Sequence, residues 1–132
     1  MPHTIHIAAA LLIGPTGQTL LVRKRNTQAF MQPGGKIEAG EQPVHALAHE
    51  LDEELGVQID PATAHYLGSF SAPAANEPGF EVRCELFRVE IAGPVTIGAE
   101  IEEAVWVDHV SHQQLELAPL TRDHILPLYI AL

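Results

Sequence analysis

The stretch from Gly34 to Val57, GGKIEAGEQPVHALAHELDEELGV, constrains the fold more than any other part of the chain. At roughly 100° per residue, Val44, Leu47, Ala48, Leu51 and Leu55 fall on one stripe, which predicts an amphipathic helix with that side against a core. Pro43 suits its first turn, and Gly56 suits a left-handed cap at its end. Glu50, Glu53 and Glu54 gather on a second sector with His49 at its margin, while His45 and Asp52 fall on a third that faces solvent. Before the helix, Pro33-Gly34-Gly35 forms a loop whose backbone a ligand can approach closely.

Three glutamates on one sector repel one another by a few tenths of a kcal/mol per pair even when exposed (~0.2–0.5). A divalent cation offsets that repulsion, and oxygen ligands of this kind suit Mg²⁺ or Mn²⁺. Mg²⁺ keeps part of its shell for waters and substrate phosphates, so several grouped carboxylates point to phosphate chemistry, with one left over to deprotonate a water. Zinc held by His45 and His49 is the weaker alternative, because no third ligand has suitable spacing.

On either side of this unit the sequence predicts strands. Thr4 to Ile13 is an apolar run buried on both faces for much of its length, and Gly14-Pro15-Thr16-Gly17 turns it into a second strand, Gln18 to Lys24, as a hairpin. His3 and His6 are surface or edge residues, and Phe30 is core packing in preference to a wall for a flat base. His65 to Ser71 is a strand, Ala72 to Gly79 a loop, and Gly79 to Ile91 an alternating strand whose apolar phase shifts, which predicts a bulge near Leu86 and Phe87. After the Ala92-Gly93-Pro94 turn, the acids Glu100, Glu102 and Glu103 precede a short strand, Ala104 to Val107, and a short helix falls within Asp108 to Leu115. The last segment is a helix with Thr121 as its N-cap and Pro127 kinking or dividing it.

With 132 residues and no repeat or linker, a single domain over 1–132 is expected. No apolar run spans a bilayer and no signal-peptide pattern opens the chain, so a soluble, cytoplasmic protein without a membrane partner is expected. Cys84 stands alone and reads as a small core residue. A formal charge of −10 disfavours a nucleic-acid polymer, and the densest basic cluster, Arg23-Lys24-Arg25, suits one small phosphorylated ligand at most. A homodimer is left open.

The segment from Gly35 to Val57 resembles the Nudix box, a Gly, five residues, Glu, seven residues, then Arg-Glu-U-x-Glu-Glu-x-Gly-U, with U a bulky apolar residue. Gly35, Glu41, Glu50, Leu51, Glu53, Glu54, Gly56 and Val57 match eight of the nine specified positions. The hairpin before the box, Pro33-Gly34 and Trp106-Val107-Asp108 extend the resemblance. It implies a Nudix-type α/β/α sandwich with a mixed β-sheet, the box helix packed on it, and a small MutT-like hydrolase. By that pattern Glu53 and Glu54 bind metal, Glu50 is a ligand or the general base, the Gly34 carbonyl completes the inner shell, and Glu41 supports the loop and helix. One acid among Glu100, Glu102 and Glu103 is a further contributor. Where the box has Arg, this chain has His49, whose imidazole lacks a planar, permanently charged fork. It can still give Glu53 one hydrogen bond.

The implied activity is metal-dependent hydrolysis of a diphosphate linkage in a nucleoside diphosphate derivative, with a nucleoside triphosphate as the foremost substrate. Alternatives are ADP-ribose, a nucleotide sugar or a dinucleoside polyphosphate, or a catalytically weak nucleotide-binding module. Arg23, Arg25, Phe30 and Thr121 are the candidate substrate contacts.

Overall fold

The computed structural model describes residues 3–132. Its centre is a long strand, β1 (His3–Ile13), whose three consecutive alanines, Ala8 to Ala10, are buried on both faces. Small side chains there let elements on either side approach the sheet closely. One edge of β1 pairs in parallel along its whole length with β5 (Phe80–Glu90). Its other edge is shared, first by the short β3 (Gly34–Lys36) and then, through Ile13 and Thr19, by β2 (Thr19–Lys24). With β4 (His65–Pro73) outside β5 and β6 (Ile101–Val107) outside β2, the order is β4-β5-β1-β2-β6 in a mixed, six-stranded sheet.

Alternation along the strands sends side chains to two separate cores. Ala8, Ala10, Leu12, Leu20, Val22, Phe87 and Val89 meet Leu47, Leu51 and Leu55 of α1 (Pro43–Leu55) on one face. Ala9, Leu11, Leu21, Cys84 and Leu86 meet Ile125, Leu126 and Tyr129 of the C-terminal segment on the other. The expected α/β/α layering and the packed box helix are both present. Cys84 is fully buried, and burial pushes its thiol up to about 12, so it is an inert core residue.

Several local expectations change. The hairpin turn is present, but β1 and β2 share one paired position, because β3 occupies the neighbouring stretch of β1 and β2 pairs chiefly with β6. The bulge expected in β5 lies in β4 instead: Tyr66 faces Phe87 and Gly68 faces Leu86, leaving Leu67 as the extra residue. β5 itself runs unbroken against β1. Its apolar phase shifts because the two helical layers cover different ends of it, so Cys84 and Leu86 pack on one side and Phe87 and Val89 on the other.

At the C-terminus, Thr121 is not a cap. Helical backbone already runs through Pro119 and Leu120, and Thr121 is fully buried within a widened π-helical turn, Thr121–Ile125. That turn leads without a break into α2 (Leu126–Ile130), in which Pro127 has no N–H to give, so the expected interruption takes the form of a widened turn in a continuous helix. A 3₁₀ turn, Ser111–Gln114, is the short helix expected after Val107. Phe30 is buried in the second core, as core packing requires. Among the described residues, no helix is long and apolar enough to cross a membrane.

Candidate active site

The box helix begins at Pro43 without a side-chain cap and ends at Gly56, whose φ of 64° is the left-handed conformation expected of it. Its last carbonyls do not face empty space. Gly98 donates its N–H to Glu54 O at 2.8 Å, and Thr96 donates to Leu55 O at 2.9 Å. A Cβ on Gly98 would stand 2.4 Å from the Glu53 carbonyl oxygen, so only glycine lets this loop close on the helix end. That docking brings Glu100 to the acidic side of α1.

The three helix glutamates stand in different surroundings. Relative to Glu50, Glu54 is rotated by about 40° toward Leu47, and Glu53 by about 60° away from it. Glu54 is accordingly buried, with 4% of its surface exposed, and one long hydrogen bond, 3.4 Å from the Gly34 N–H, reaches its Oε1. Burial pushes its carboxyl up to about 7, and the charges of Glu50 and Glu100 add to the rise, against the Lys24 ammonium and the Gly34 bond. Glu50 is half-buried, and its pKa is raised by burial and then by Glu53, with Lys24 and His49 opposing. Its carboxyl lies over Gly35, where a Cβ would come within 2.4 Å of Cδ. Gly35 thus gives Glu50 bare backbone to press on, while Gly34 meets Glu54 through its N–H and passes the Ala8 carbonyl only because it has no Cβ.

Glu53 turns outward. His49 Nε2 lies 2.9 Å from its Oε1, and both side chains are more than 60% exposed. As arranged, no three carboxylate, imidazole or thiol groups among the described residues converge on one point. The site nonetheless fits a divalent cation by its chemistry. Two crowded carboxylates with raised pKa values, a third acid nearby and bare glycine backbone form a donor set whose repulsion a cation relieves. Glu41 sits apart, closing the turn before the helix by accepting from the Glu38 N–H at 3.0 Å.

Among the downstream acids the structure separates what the sequence left together. Glu103 takes Arg23 Nη2 at 2.7 Å and Glu102 takes Arg25 Nη1 at 2.9 Å, while Glu100 is the one whose charge acts on both Glu50 and Glu54. Arg23 also donates to Thr27 O, and Arg25 to Ala99 O. Both arginines are therefore engaged in joining β2 to β6 and the loop before it. Lys24 between them is the cation that acts on Glu50 and Glu54, and it was missed as a site residue. The signal was available: Lys24 has the parity of Leu20 and Val22, which face α1, and its neighbours do not. Thr121 and Phe30 lie under the opposite face of the sheet.

Comparisons with known proteins bear on the family and the fold. A family model described as the NUDIX domain matches residues 3–129. An octanoyltransferase of Myxococcus xanthus is 36% identical over 80% of this chain and 30% of its own length. An 8-oxo-dGTP diphosphatase of Haemophilus influenzae is 42% identical over 40% of this chain and 42% of its own. The chain thus spans well under two thirds of these curated relatives. In fold, the MutT protein of Methanosarcina mazei superposes with a TM-score of 0.78 at 21% identity, covering 96% of this chain and 93% of that one. With the box matched, its helix seated on a mixed sheet and the family model spanning nearly every described residue, this chain belongs to the Nudix family.

Proposed function

We propose that the chain is a divalent-metal-dependent hydrolase of a diphosphate linkage in nucleoside diphosphate derivatives, and that its substrate is a nucleoside triphosphate, split to a monophosphate and pyrophosphate. The observation that carries this reading is Glu54. A buried carboxylate with one long hydrogen bond, crowded by Glu50 and Glu100, is an expensive arrangement for a merely structural group. It is well suited to a cation that carries phosphates.

In this assignment Glu53 and Glu54 hold Mg²⁺ or Mn²⁺, with the Gly34 carbonyl as a further donor. When bound, the cation supplies neutralisation of phosphate charge and polarises the phosphoryl oxygens. Glu50, half-buried over Gly35, accepts the proton of the water whose oxygen attacks phosphorus, while the P–O bond to the departing pyrophosphate breaks. Lys24 limits the charge that the carboxylates build up and offers an ammonium to the leaving phosphates. Gly35 keeps the Glu50 carboxyl against the backbone, and Glu41 holds the turn that leads into the helix.

Pyrophosphate release from a panel of nucleoside triphosphates in Mg²⁺ or Mn²⁺ tests the proposal, with Glu53→Gln as the control. The native protein is expected to turn over at least one member, and the variant to lose roughly a hundredfold or more. Equal turnover by both proteins defeats the assignment. Tight nucleotide binding without turnover would instead make the chain a binding module.

A further inference from the structure

On the sheet face opposite α1, a narrow cleft is walled by Ile7, Met31, Val82 and Leu120, with Gln32 and Thr121 as its polar members. Gln32 is 6% exposed and Thr121 is fully buried. The Thr121 hydroxyl donates to Gln32 Oε1 at 2.7 Å, and that bond leaves the amide Nε2 as the unpartnered end of the side chain. Among the described residues, Gln32 Nε2 is the one buried side-chain nitrogen or oxygen without a hydrogen-bond partner. Folded proteins leave few such groups, since each loses its water without recompense. This one borders a cleft whose other walls are apolar.

We propose that Gln32, oriented by Thr121, selects the ring of the ligand by giving its amide N–H donors to a keto oxygen, so that nucleotides of keto bases bind in preference to those of amino bases. The inference rests on the nucleotide reading of the site given above. Position supports it: Gln32 precedes Gly34 by two residues, a reach of about 7 Å along extended chain. Gly34 is the residue that contacts Glu54. Two residues of chain thus separate the cleft from the backbone that meets Glu54. Apolar walls suit the faces of a flat ring, and the amide suits its edge. With Oε1 occupied by Thr121, the edge offers donors alone. A guanine, hypoxanthine or uracil oxygen accepts from them, whereas the exocyclic amino group of adenine or cytosine sets donor against donor and leaves both unpaired.

Calorimetric titration of the intact chain with nucleoside monophosphates tests this without depending on turnover. Inosine and adenosine monophosphates form the first pair, because keto replaces amino at one ring position, and uridine and cytidine monophosphates form the second. The keto member of each pair is expected to bind about tenfold more tightly. In Gln32→Leu the preference should shrink to within about twofold, and in Thr121→Val, where the amide is free to turn, to about threefold. Thermal melts of both variants establish that they are folded, and Thr121→Val decides the matter if Gln32→Leu is not. Equal binding of the two members, no binding of any of them, or a preference that survives in the folded variants overturns the proposal. The hydrolysis panel fails or succeeds separately: turnover without keto preference sinks this inference alone, and keto preference without turnover sinks the catalytic reading alone.

Discussion

Two buried glutamates on the α1 face of the sheet have opposite surroundings. Glu85 on β5 is 8% exposed and Glu54 on α1 is 4% exposed, so both have little accessible surface, although Glu54 is the more deeply packed. Glu85, however, takes the Tyr66 hydroxyl at 2.6 Å and His6 Nε2 at 2.7 Å, with Ser69 and Arg83 at longer range. Burial raises its pKa, but the bonds from Tyr66 and His6 and the charges of His6 and Arg83 outweigh that, and it ends below the ordinary carboxylate value. Glu54 has one long bond and two acidic neighbours, and it ends near 7. The supply of partners, together with depth, separates a carboxylate that ties strands together from one that is left needing a ligand.

The largest expected effect breaks this pair apart. Glu54→Gln should lower hydrolysis by roughly a hundredfold or more. Glu85→Gln should leave turnover within about twofold and cost the fold about 1–3 kcal/mol, because Tyr66 and His6 lose a charged acceptor. Steady-state rates and urea denaturation of the two variants check both halves. Should Glu85→Gln abolish turnover while the fold stays intact, the two carboxylates are not of different kinds.

A second effect concerns pH in the metal-free protein. The Glu54 carboxyl is raised from 4.5 to about 7, so its protonated form is favoured in the folded state, and its contribution is full below the unfolded value and lost as pH rises toward and through 7. The loss amounts to about 3 kcal/mol. Glu85, being lowered, has the opposite sign: its contribution is present above the ordinary carboxylate range and lost as pH falls through its folded value. Thermal melts from pH 4 to 8.5 should therefore show an alkaline decline that Glu54→Gln flattens, and an acid decline that Glu85→Gln flattens. Saturating Mg²⁺ should restore stability on the alkaline side. An alkaline limb unchanged in Glu54→Gln contradicts the assignment.

The contrast also marks what the sequence reveals. The strand order around β1 follows from alternation and turns in part only, since nothing local says that β5 pairs in parallel with β1 across the intervening helix and β4. Glu54 and Glu53 are neighbours in an acidic run, yet a rotation of about 100° separates a buried group from an exposed one. Spacing within the box identified the helix, its cap and its acids because those depend on the periodicity of one element. Lys24, Glu100 and Gln32 acquire their roles from other elements. Lys24 needs α1 packed on its side of β2, Glu100 needs the loop that Gly98 docks on the helix end, and Gln32 needs a threonine 89 residues away. The apparent slip in β5 misled for the same reason: an uninterrupted strand crosses beneath two layers, and only tertiary structure shows which layer covers which end.

The smallest expected effect lies at the exposed end of the same helix. His49 and Glu53 form an i,i+4 pair at 2.9 Å, but with both side chains more than 60% exposed it adds little to the fold. His49→Arg should therefore change stability by less than about 0.5 kcal/mol in urea denaturation. Its consequence should appear in turnover, because a planar guanidinium fork can hold the Glu53 carboxylate through two bonds where the imidazole offers one. His49→Arg is expected to raise the steady-state rate by about twofold to threefold. Equal rates would mean that Glu53 is positioned without help from residue 49. In that case the contrast between Glu54 and Glu85 needs a third term: a carboxylate that is neither tied by partners nor crowded into need, but free in solvent until the cation arrives.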